Sequence, residues 1–576
     1  IDTSKLGHQP MCDENNGNWI IYNGEIYNFL EIKKELLSYG YVFKSETDTE
    51  VILKAYDKWG KKLLDKIEGM FAFSIWDNTK KALLIAVDPM GIKPLYWYKK
   101  NRIFCFASEI RPLIKSNLVE KELNKQSIDN YLAYGSIQGP ETIINNVNIL
   151  QGGNYLLVDC DGNILEHARY WKADFRIKNN SKRDTIVNEL KDQLKQITRQ
   201  HLISDVPIGL FLSGGIDSTA LAYFASNEIK DLNTFSVSFD EKRWAEGEYA
   251  KETAKLLKVN HTELILTSDK LKRLISSAVG ALDQPSIDDT NVFIISKLVN
   301  ERGIKVALSG QGGDEVFGGY STFQNIPKGL QIESFLSFVP LNLRRLFSKI
   351  WSNTVDRKRK IPSKISQIFE NRHDLLEFYL LLRQLMPLKT RRKVFPGDEF
   401  SKNAITLENT KYFKEEISNI STFDATSLLE LNLYLGQTLL RDSDVMGMAN
   451  SLEIRVPYLD RRIINFVSSI PSNLKSDPHR PKPLILDSAK SGVRDSIWKK
   501  PKQGFTFPWE EWLKNDLKHL GDMAFADKKT WRAIGFDPLE VEKIWIYFLN
   551  NNKEVTWARV WAFIVLREWV TVNIFN

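Results

Sequence analysis

The chain has 576 residues, of which 43% are hydrophobic and 26% charged, so it can form several globular domains and is not a disordered protein. Its three cysteines, Cys12, Cys105 and Cys160, are too few and too scattered for a disulfide framework or a zinc cluster. The formal net charge is +7, and no apolar run approaches the length of a membrane span. No secretory leader pattern is found either, so we expect a soluble cytoplasmic protein.

The first part of the chain, to about residue 170, is rich in short apolar or alternating segments that predict β-strands. Between them, one amphipathic segment at 28–39 predicts a helix. Many strands with few helices are typical of a layered, largely antiparallel sheet domain. The predicted strands cover residues 19–22, 72–76, 82–87, 103–107 and 155–158.

The second part changes character, because helical and strand patterns alternate there. Such alternation predicts a parallel α/β sheet. Beyond Phe335 the chain reads as mostly helical and ends in an aromatic-rich segment at 555–570. The predicted helices are 185–201, 218–227 and 248–257, and the predicted strands are 209–212, 234–239 and 305–308.

The most informative segment follows the strand at 209–212 and reads SGGIDS at 213–218. Ser213, Gly214 and Gly215 allow the backbone to approach an anion, and the N–H groups that open the next helix carry the positive end of its dipole. No Walker A string, GxxxxGK[ST], occurs in the chain, so this is not a simple kinase or ATPase loop. The segment predicts a pyrophosphate site, although Ser-Gly-Gly taken alone is equally compatible with a plain turn.

A second loop of the same design follows the strand at 305–308 and reads SGQGGDE at 309–315. Loops at the carboxyl edge of a parallel sheet gather in space, so the two should face each other. Asp217 and Asp314 are hard oxygen ligands of the kind that Mg²⁺ prefers. The pair of loops therefore predicts a Mg-ATP site at which ATP is cleaved to release pyrophosphate, with Asp217 and Asp314 as metal ligands.

These loops belong to a set of strings that resembles the glutamine-hydrolysing asparagine synthetase family nearly end to end. SGGIDS, SGQGGDEVFGGY at 309–320 and LLRDSDVMGMANSLEIRVPYLD at 439–460 look like its synthetase domain. YNGEIYNF at 22–29, SETDTEVIL at 45–53, GMFAFSIWD at 69–77 and DPMGIKPLYW at 88–97 are similar to its glutaminase domain. The resemblance implies an α+β sandwich of the N-terminal nucleophile type at 1–172, followed by an α/β PP-loop domain with a helical C-terminal part at 173–576.

In the first domain the resemblance implies a glutamine pocket. Asn23 and the Gly24 backbone N–H resemble the oxyanion hole of the family, and Glu25 and Asp48 resemble the groups that bind the glutamine α-amino and carboxylate region. Taken alone, Asn23-Gly24 is more typical of a hairpin turn. The family attacks glutamine with a cysteine at the start of the mature chain. This chain opens with a stretch that matches the interior of that domain, so we expect the nucleophile region to be missing and this half to be inactive without it. Cys12 lacks a neighbouring α-amine and reads as a small core residue.

In the second domain the resemblance implies attack of a carboxylate on the α-phosphorus of ATP and displacement of AMP by ammonia. The leading acceptor is aspartate, which would give asparagine. Lys502 matches a pyrophosphate-contacting lysine of the family, Val237 falls where the adenine edge is held by backbone groups, and Leu212 and Gly310 line the same pocket. The implied ATP-binding residues are Leu212, Ser213, Gly214, Gly215, Asp217, Ser218, Val237, Ser309 and Gly310. The polar residues of 441–460 are as compatible with structural ion pairs as with ligands and are left out of the catalytic set.

One departure concerns the acceptor: Gln311 stands where well-studied members of the family carry Glu, and a glutamine amide cannot act as a base. There are two interpretations. Either Gln311 positions the substrate while another group takes the proton, or the acceptor is a different carboxylate of a sugar, peptide or antibiotic pathway. We count Asn23, Gly24, Gln311 and Lys502 as the catalytic candidates.

Two other function classes compete with the ligase. Basic runs at 344–360 and 389–393 favour a PP-loop enzyme that modifies tRNA, but no aromatic-interleaved RNA motif accompanies them, and a tRNA enzyme has no need of a glutamine pocket. A non-catalytic scaffold protein would explain the missing nucleophile and Gln311. We expect small-molecule partners only (glutamine, a carboxylate and ATP), no nucleic acid, no membrane, and a homodimer as the candidate assembly.

Overall fold

The computed structural model describes residues 5–239, 246–288, 290–351, 364–397, 404–499 and 507–575. Within them the first part of the chain contains two antiparallel sheets, as the sequence predicts. The larger sheet has the strand order β1-β2-β3-β4-β8-β9 and the smaller one β6-β5-β7. Their strands are β1 (Met11–Asp13), β2 (Asn18–Ile26), β3 (Gly69–Asp77), β4 (Ala82–Val87), β5 (Tyr96–Lys100), β6 (Ile103–Ala107), β7 (Val147–Ile149), β8 (Asn154–Asp159) and β9 (Ile164–Arg169).

The two faces of the larger sheet have different partners. Phe71, Phe73 and Ile75 of β3 share a buried cluster with the first two helices, whereas Ala72 lies in a second cluster with residues of the smaller sheet. Because side chains alternate along a strand, one strand serves both cores, and the result is a sandwich with helices on one side. The helices of this part are α1 (Phe29–Ser38), α2 (Asp48–Trp59), α3 (Ile110–Lys115) and α4 (Lys125–Tyr134).

The prediction of a single helix in this part was therefore wrong. Helix α2 was missed although its apolar residues are segregated to one side as strongly as those of α1. All nine residues from Asp48 to Tyr56 are buried, including Asp48, Glu50 and Lys54, so burial in this helix does not follow the polarity of the residues.

The second part contains a parallel sheet of order β12-β11-β10-β13-β14 with helices packed around it, as predicted. Its strands are β10 (Ile208–Phe211), β11 (Asn233–Phe239), β12 (Asn260–Leu266), β13 (Val306–Leu308) and β14 (Glu453–Arg455). Its first helices are α5 (Arg183–His201), α6 (Ile216–Ser226), α7 (Glu246–Leu257), α8 (Ser268–Ala281), α9 (Thr290–Asn300) and α10 (Gly313–Phe317).

The remainder is mostly helical, as predicted, apart from β14, which returns to the edge of the parallel sheet. Its middle helices are α11 (Thr322–Leu336), α12 (Leu341–Trp351), α13 (Lys364–Glu370), α14 (Leu375–Arg383), α15 (Leu388–Val394), α16 (Leu407–Glu416), α17 (Thr422–Leu429) and α18 (Leu440–Met448). A π-helical stretch, Glu430–Leu439, joins α17 to α18.

The last helices pack around a group of buried tryptophans. Trp509, Trp512, Trp531, Trp561 and Trp569 are all nearly inaccessible to solvent. In the described part of the chain no helix is both long and apolar enough to cross a membrane. The helices are α19 (Arg461–Ser469), α20 (Ser472–Lys475), α21 (Pro483–Ser488), α22 (Asp495–Trp498), α23 (Trp509–Lys514), α24 (Lys518–Ala526), α25 (Lys528–Ala533), α26 (Pro538–Leu549) and α27 (Trp557–Val570).

Candidate active site

The first predicted loop lies between β10 and α6, at the carboxyl edge of the parallel sheet. Gly214 has a φ of +66°, which a residue with a side chain adopts only under strain. Gly215 caps α6 without a side-chain hydrogen bond, so the first N–H groups of this helix of 11 residues point out of the loop. Ser218 steadies the turn, because its Oγ lies 3.1 Å from Ser213 Oγ and accepts the Ser213 N–H at 3.3 Å. The backbone thus has the form that an anion site requires.

The second loop leaves the neighbouring strand β13 and touches the first. A β-carbon built on Gly313 would lie 2.5 Å from Asp217 Cγ, and one on Gly310 would lie 3.1 Å from the Ser218 nitrogen. A side chain at Gly313 would force Asp217 to shift, and one at Gly310 would make a tight contact with the first loop. The two loops therefore converge, as the sequence predicts from the rule that loops gather at the carboxyl edge of a parallel sheet.

Asp217 and Asp314 meet at one cation. Lys482 Nζ forms an ion pair with Asp217 Oδ2 and lies 2.5 Å from Asp314 Oδ1. The lysine side chain is 4% exposed, and burial lowers its pKa, but the two carboxylates more than offset that effect and hold the pKa above the usual value. Two acidic side chains from different loops thus already hold one positive charge between them.

Lys482 was missed by sequence reasoning because it lies 265 positions beyond Asp217 and belongs to no recognised string. The one available signal is its place between Pro481 and Pro483. Its φ of +47° is unusual for a residue with a side chain, and backbone strain of this kind clusters at functional sites.

Gln311 is held by a residue of α18. Its Nε2 donates to Ser443 Oγ at 2.7 Å, and its Oε1 lies 3.1 Å from the same hydroxyl. The Gln311 backbone N–H also donates to Ser309 Oγ at 3.3 Å, while the Ser309 N–H donates to the Arg455 carbonyl at 2.8 Å. The Gln311 amide is therefore fixed beside the two loops.

The remaining ATP-site candidates lie in the strands and loops around this point. Leu212 and Val237 are buried, and the Leu212 N–H donates to the Phe235 carbonyl at 2.8 Å. Their side chains belong to the core, so only their backbone could face a nucleotide. Lys502 lies outside the described residues.

The predicted glutamine pocket is built on strand β2. Asn23 and Gly24 pair with Ala72 and Phe71 of β3, so the alternative of a hairpin turn was wrong. Gly24 has a φ of +149°, and a β-carbon there would lie 2.1 Å from the Met70 carbonyl oxygen. A side chain at this position would collide with the backbone of β3, so a glycine is required.

Asp48, at the start of α2, points back to β2. Its Oδ2 accepts the Tyr22 hydroxyl at 2.8 Å and the Ile26 N–H at 3.0 Å. Burial raises the pKa of Asp48, and these hydrogen bonds offset only part of that rise. Asp48 and the strand of Asn23 to Glu25 are thus joined by direct contacts, which the sequence suggested only through resemblance.

Glu25 contacts the second half of the protein. Its Oε1 lies 3.3 Å from Arg455 Nη2, and burial raises its pKa to about 8 although Arg455 acts in the opposite direction. Arg455 also binds Glu453 at 2.8 Å and donates to the His201 carbonyl at 2.8 Å. A residue of the ambiguous 441–460 string thus lies against the glutamine pocket.

Cys12 lies in β1, and burial raises the pKa of its thiol, so little of the nucleophilic thiolate is present at neutral pH. All three cysteines are free.

Two residues of the basic runs are committed to buried ion pairs. Arg344 binds both carboxylate oxygens of Glu333, at 2.8 and 2.7 Å, and Arg391 binds Asp129. Both arginine side chains are almost fully buried, so neither can bind a nucleic-acid backbone. This removes part of the support for the tRNA-modifying alternative.

Comparisons with known proteins match both halves. The family described as asparagine synthase matches residues 189–571, and the glutamine amidotransferase domain matches residues 1–171. Asparagine synthetase [glutamine-hydrolyzing] 1 of Bacillus subtilis is 30% identical over 99% of this chain and 88% of that protein. A putative asparagine synthetase of Mycobacterium tuberculosis is 30% identical over 86% of this chain and 76% of its own length. A fungal protein, amidase chry2 of Gibberella zeae, is 24% identical over 93% of this chain and 84% of its own length. The chain belongs to the asparagine synthase family.

Proposed function

We propose that this protein makes a carbon–nitrogen bond by ATP-dependent amidation of a carboxylate, with aspartate as the acceptor and asparagine as the product. Ammonia derived from glutamine is the nitrogen source. The observation that carries the proposal is the convergence of Asp217 and Asp314, from two neighbouring loops, on a single positive charge. Membership of the asparagine synthase family and the names of the B. subtilis and M. tuberculosis relatives agree with it.

The reaction has two steps. A carboxylate oxygen attacks the α-phosphorus of ATP, and the bond from that phosphorus to the bridging oxygen breaks, which releases pyrophosphate. Ammonia then attacks the acyl carbon, the bond to the AMP oxygen breaks, and the nitrogen loses a proton. In the first step negative charge grows on the leaving group, so the site must supply positive charge and N–H donors.

We assign the donors to the first loop. The N–H groups that open α6 at Ile216 to Ser218 point at the anion, and Lys482 supplies a positive charge at the same place. Lys502 remains a candidate for a second contact to the pyrophosphate.

A magnesium ion fits the same place, because Asp217 and Asp314 already hold one cation and Mg²⁺ commonly binds one or two carboxylates together with substrate phosphates. In the described part of the chain no group of three or more His, Cys, Asp or Glu could form a cage made of protein alone. When bound, the ion would screen the charge of the triphosphate. Asp217 and Asp314 would be its ligands.

Gln311 cannot accept the proton from ammonia, so we assign it a positioning role. Its amide is held by Ser443, and its Nε2 can donate a hydrogen bond to the bound carboxylate. Because this residue differs from the Glu that we expect in the family, a different carboxylate is a second candidate acceptor.

In the glutamine pocket we propose that Asn23 and the Gly24 N–H stabilise the charge that develops on the amide oxygen, while Glu25 and Asp48 bind the α-amino end of glutamine. A division of the chain into 1–172 and 173–576, a cytoplasmic location and a homodimer remain predictions.

The direct test is pyrophosphate release with Mg-ATP, ammonium and a panel of carboxylates, with mass spectrometry of the products. We expect release that requires both aspartate and ammonium, and asparagine as the amide. Turnover with another carboxylate at a higher kcat/KM would assign the second candidate acceptor. No release with any carboxylate would contradict the ligase proposal itself.

A further inference from the structure

One buried ion pair connects the glutaminase half to the helix that holds Gln311. Lys93 Nζ lies 2.7 Å from Asp444 Oδ1, and the lysine side chain is 1% exposed. Asp444 follows Ser443 on α18, and Ser443 binds the Gln311 amide. We propose that Lys93 and Asp444 are positioning residues through which the glutaminase half fixes the orientation of α18. In that orientation Ser443 holds the Gln311 amide where the reaction requires it. This inference rests on the function proposed above.

On the glutaminase side, Lys93 is tied to the strands of the glutamine pocket. The buried carboxylate of Asp88 accepts the N–H groups of Lys93 at 3.0 Å and of Phe71 at 3.1 Å. Phe71 pairs with Gly24 across β2 and β3. Asp88 also accepts two further N–H groups, from Met90 and Ile92, both at 3.0 Å. The backbone of Lys93 is therefore fixed to the sheet that carries the predicted oxyanion hole.

On the synthetase side, Ser443 links Asp444 to Gln311. Asp444 and Ser443 are consecutive residues of α18, so a rotation of this helix moves both together. A shift of the Ser443 hydroxyl by 1 Å would break its 2.7 Å bond to Gln311 Nε2. Misplacements of about 1 Å at reacting groups can cost about a hundredfold in rate. We therefore expect the reaction rate to depend on the orientation of α18.

The electrostatics favour a positioning role over a stabilising one. Burial lowers the pKa of Lys93, but Asp444 and Glu453 more than reverse the change, and burial raises the pKa of Asp444 although Lys93 opposes it. Both charges are removed from water, and the cost of desolvation offsets much of their attraction. Replacing a buried pair by apolar residues is often neutral for stability, so the role that the proposal assigns to Lys93 and Asp444 is the choice of one arrangement of the groups that they join.

A second pair crosses between the same halves and serves as a control. Arg461 Nε lies 2.8 Å from Glu68 Oε1, and both side chains are largely buried. Arg461 belongs to α19 and not to the helix of Ser443. If ion pairs between the halves act only by holding the fold, replacing either pair should have the same effect.

The test is a double-mutant cycle in the whole chain, read out as pyrophosphate release with ammonium as nitrogen source. The variants are S443A, the paired replacement K93M/D444L, which leaves no orphaned charge, and the triple variant. We expect S443A and K93M/D444L each to lower kcat about tenfold, with the KM for ATP changed less than twofold, and the triple variant to be no worse than about tenfold, because all three changes break one chain of contacts. The control, E68L/R461M, should change kcat less than twofold.

A loss of about a hundredfold in the triple variant would mean that the pair and Ser443 act independently, and would overturn the inference. An equal loss in the control would do the same. If K93M/D444L fails to fold, D444N keeps the shape of the side chain: its expected loss of about threefold should vanish in the S443A background, and a loss that persists there would contradict the inference. Inactivity of the unaltered chain with every carboxylate would instead refute the proposed function, and the inference with it.

Discussion

The two candidate sites are both acidic, but their carboxylates are neutralised in different ways. In the nucleotide cleft Asp217 and Asp314 share the ammonium of Lys482. In the glutamine pocket, Arg455 lies 3.3 Å from Glu25, and burial raises the pKa of Glu25 to about 8, so this carboxyl binds a proton more readily than a solvent-exposed glutamate does.

This difference is informative about the ligands. A pair of carboxylates that keeps a fixed cation between them is prepared for a site in which positive charge is always required, as it is around a triphosphate. A buried carboxyl that holds a proton can exchange it for the ammonium of an amino acid, because the charged form is favoured by a nearby positive charge. The predictions below test each side of this comparison.

The largest effect is expected for the carboxylates of the nucleotide cleft. D217N and D314N remove a charge without changing the volume, and each should lower pyrophosphate release at least about a hundredfold, because a group that stabilises charge in the transition state is lost. Thermal unfolding of both variants serves as the control for folding. Activity within tenfold of the unaltered chain in both variants would remove them from the metal site.

The replacement K482M should expose the repulsion between Asp217 and Asp314. We expect it to lower the free energy of unfolding by about 2 kcal/mol without divalent metal, because the partly buried carboxylates of Asp217 and Asp314 lose the ammonium that they share. Millimolar Mg²⁺ should recover most of this loss in the variant and change the unaltered chain less, since ligands stabilise the state that binds them. Equal stabilisation of both proteins by Mg²⁺ would show that the metal does not bind at the site that the Lys482 ammonium occupies.

In the glutamine pocket, E25Q should flatten the dependence of stability on pH. The pKa of Glu25 is about 8 in the folded chain and about 4.3 when unfolded, so the folded state binds more protons between these values. The contribution of the Glu25 proton to the free energy of unfolding is fully present below about pH 4 and is lost as the pH rises to about 8. Relative to E25Q, the unaltered chain should lose up to about 5 kcal/mol over this range, measured by urea unfolding. Parallel curves for the two proteins would mean that Glu25 titrates normally.

The smallest effect concerns the placement of Asp48. The Thr47 side chain caps α2 and accepts the Thr49 N–H at 3.1 Å. T47A should lower the free energy of unfolding by about 1 kcal/mol, whereas T47S keeps the capping oxygen and should cost less. If both variants lose the same amount in urea unfolding, the methyl group and not the cap is responsible.

The strands and helices that frame the nucleotide cleft were predictable because their signals are local. The strand at 82–87 and the helix Arg183–His201 follow apolar periods in the sequence, and the loop after β10 is recognised from its own six residues. Strand β14 was missed: its three residues are too few for a pattern, and they pair with β13 only after the helices between them have packed. In the same way Asn23-Gly24 resembles a turn when read alone and becomes part of a strand through pairing with β3.

By itself the sequence determined two loops that begin with Ser-Gly and carry Asp217 and Asp314, as well as the change from antiparallel sheets to an alternating α/β pattern. These features depend on neighbouring residues, whose backbone preferences and hydrogen bonds are set within a few positions. Only the tertiary structure decided that Lys482 lies between the two aspartates and that Lys93 reaches Asp444, 351 positions away along the chain. Charges so distant in sequence meet because hydrophobic packing brings their elements together, and no local sequence pattern records which of them will pair.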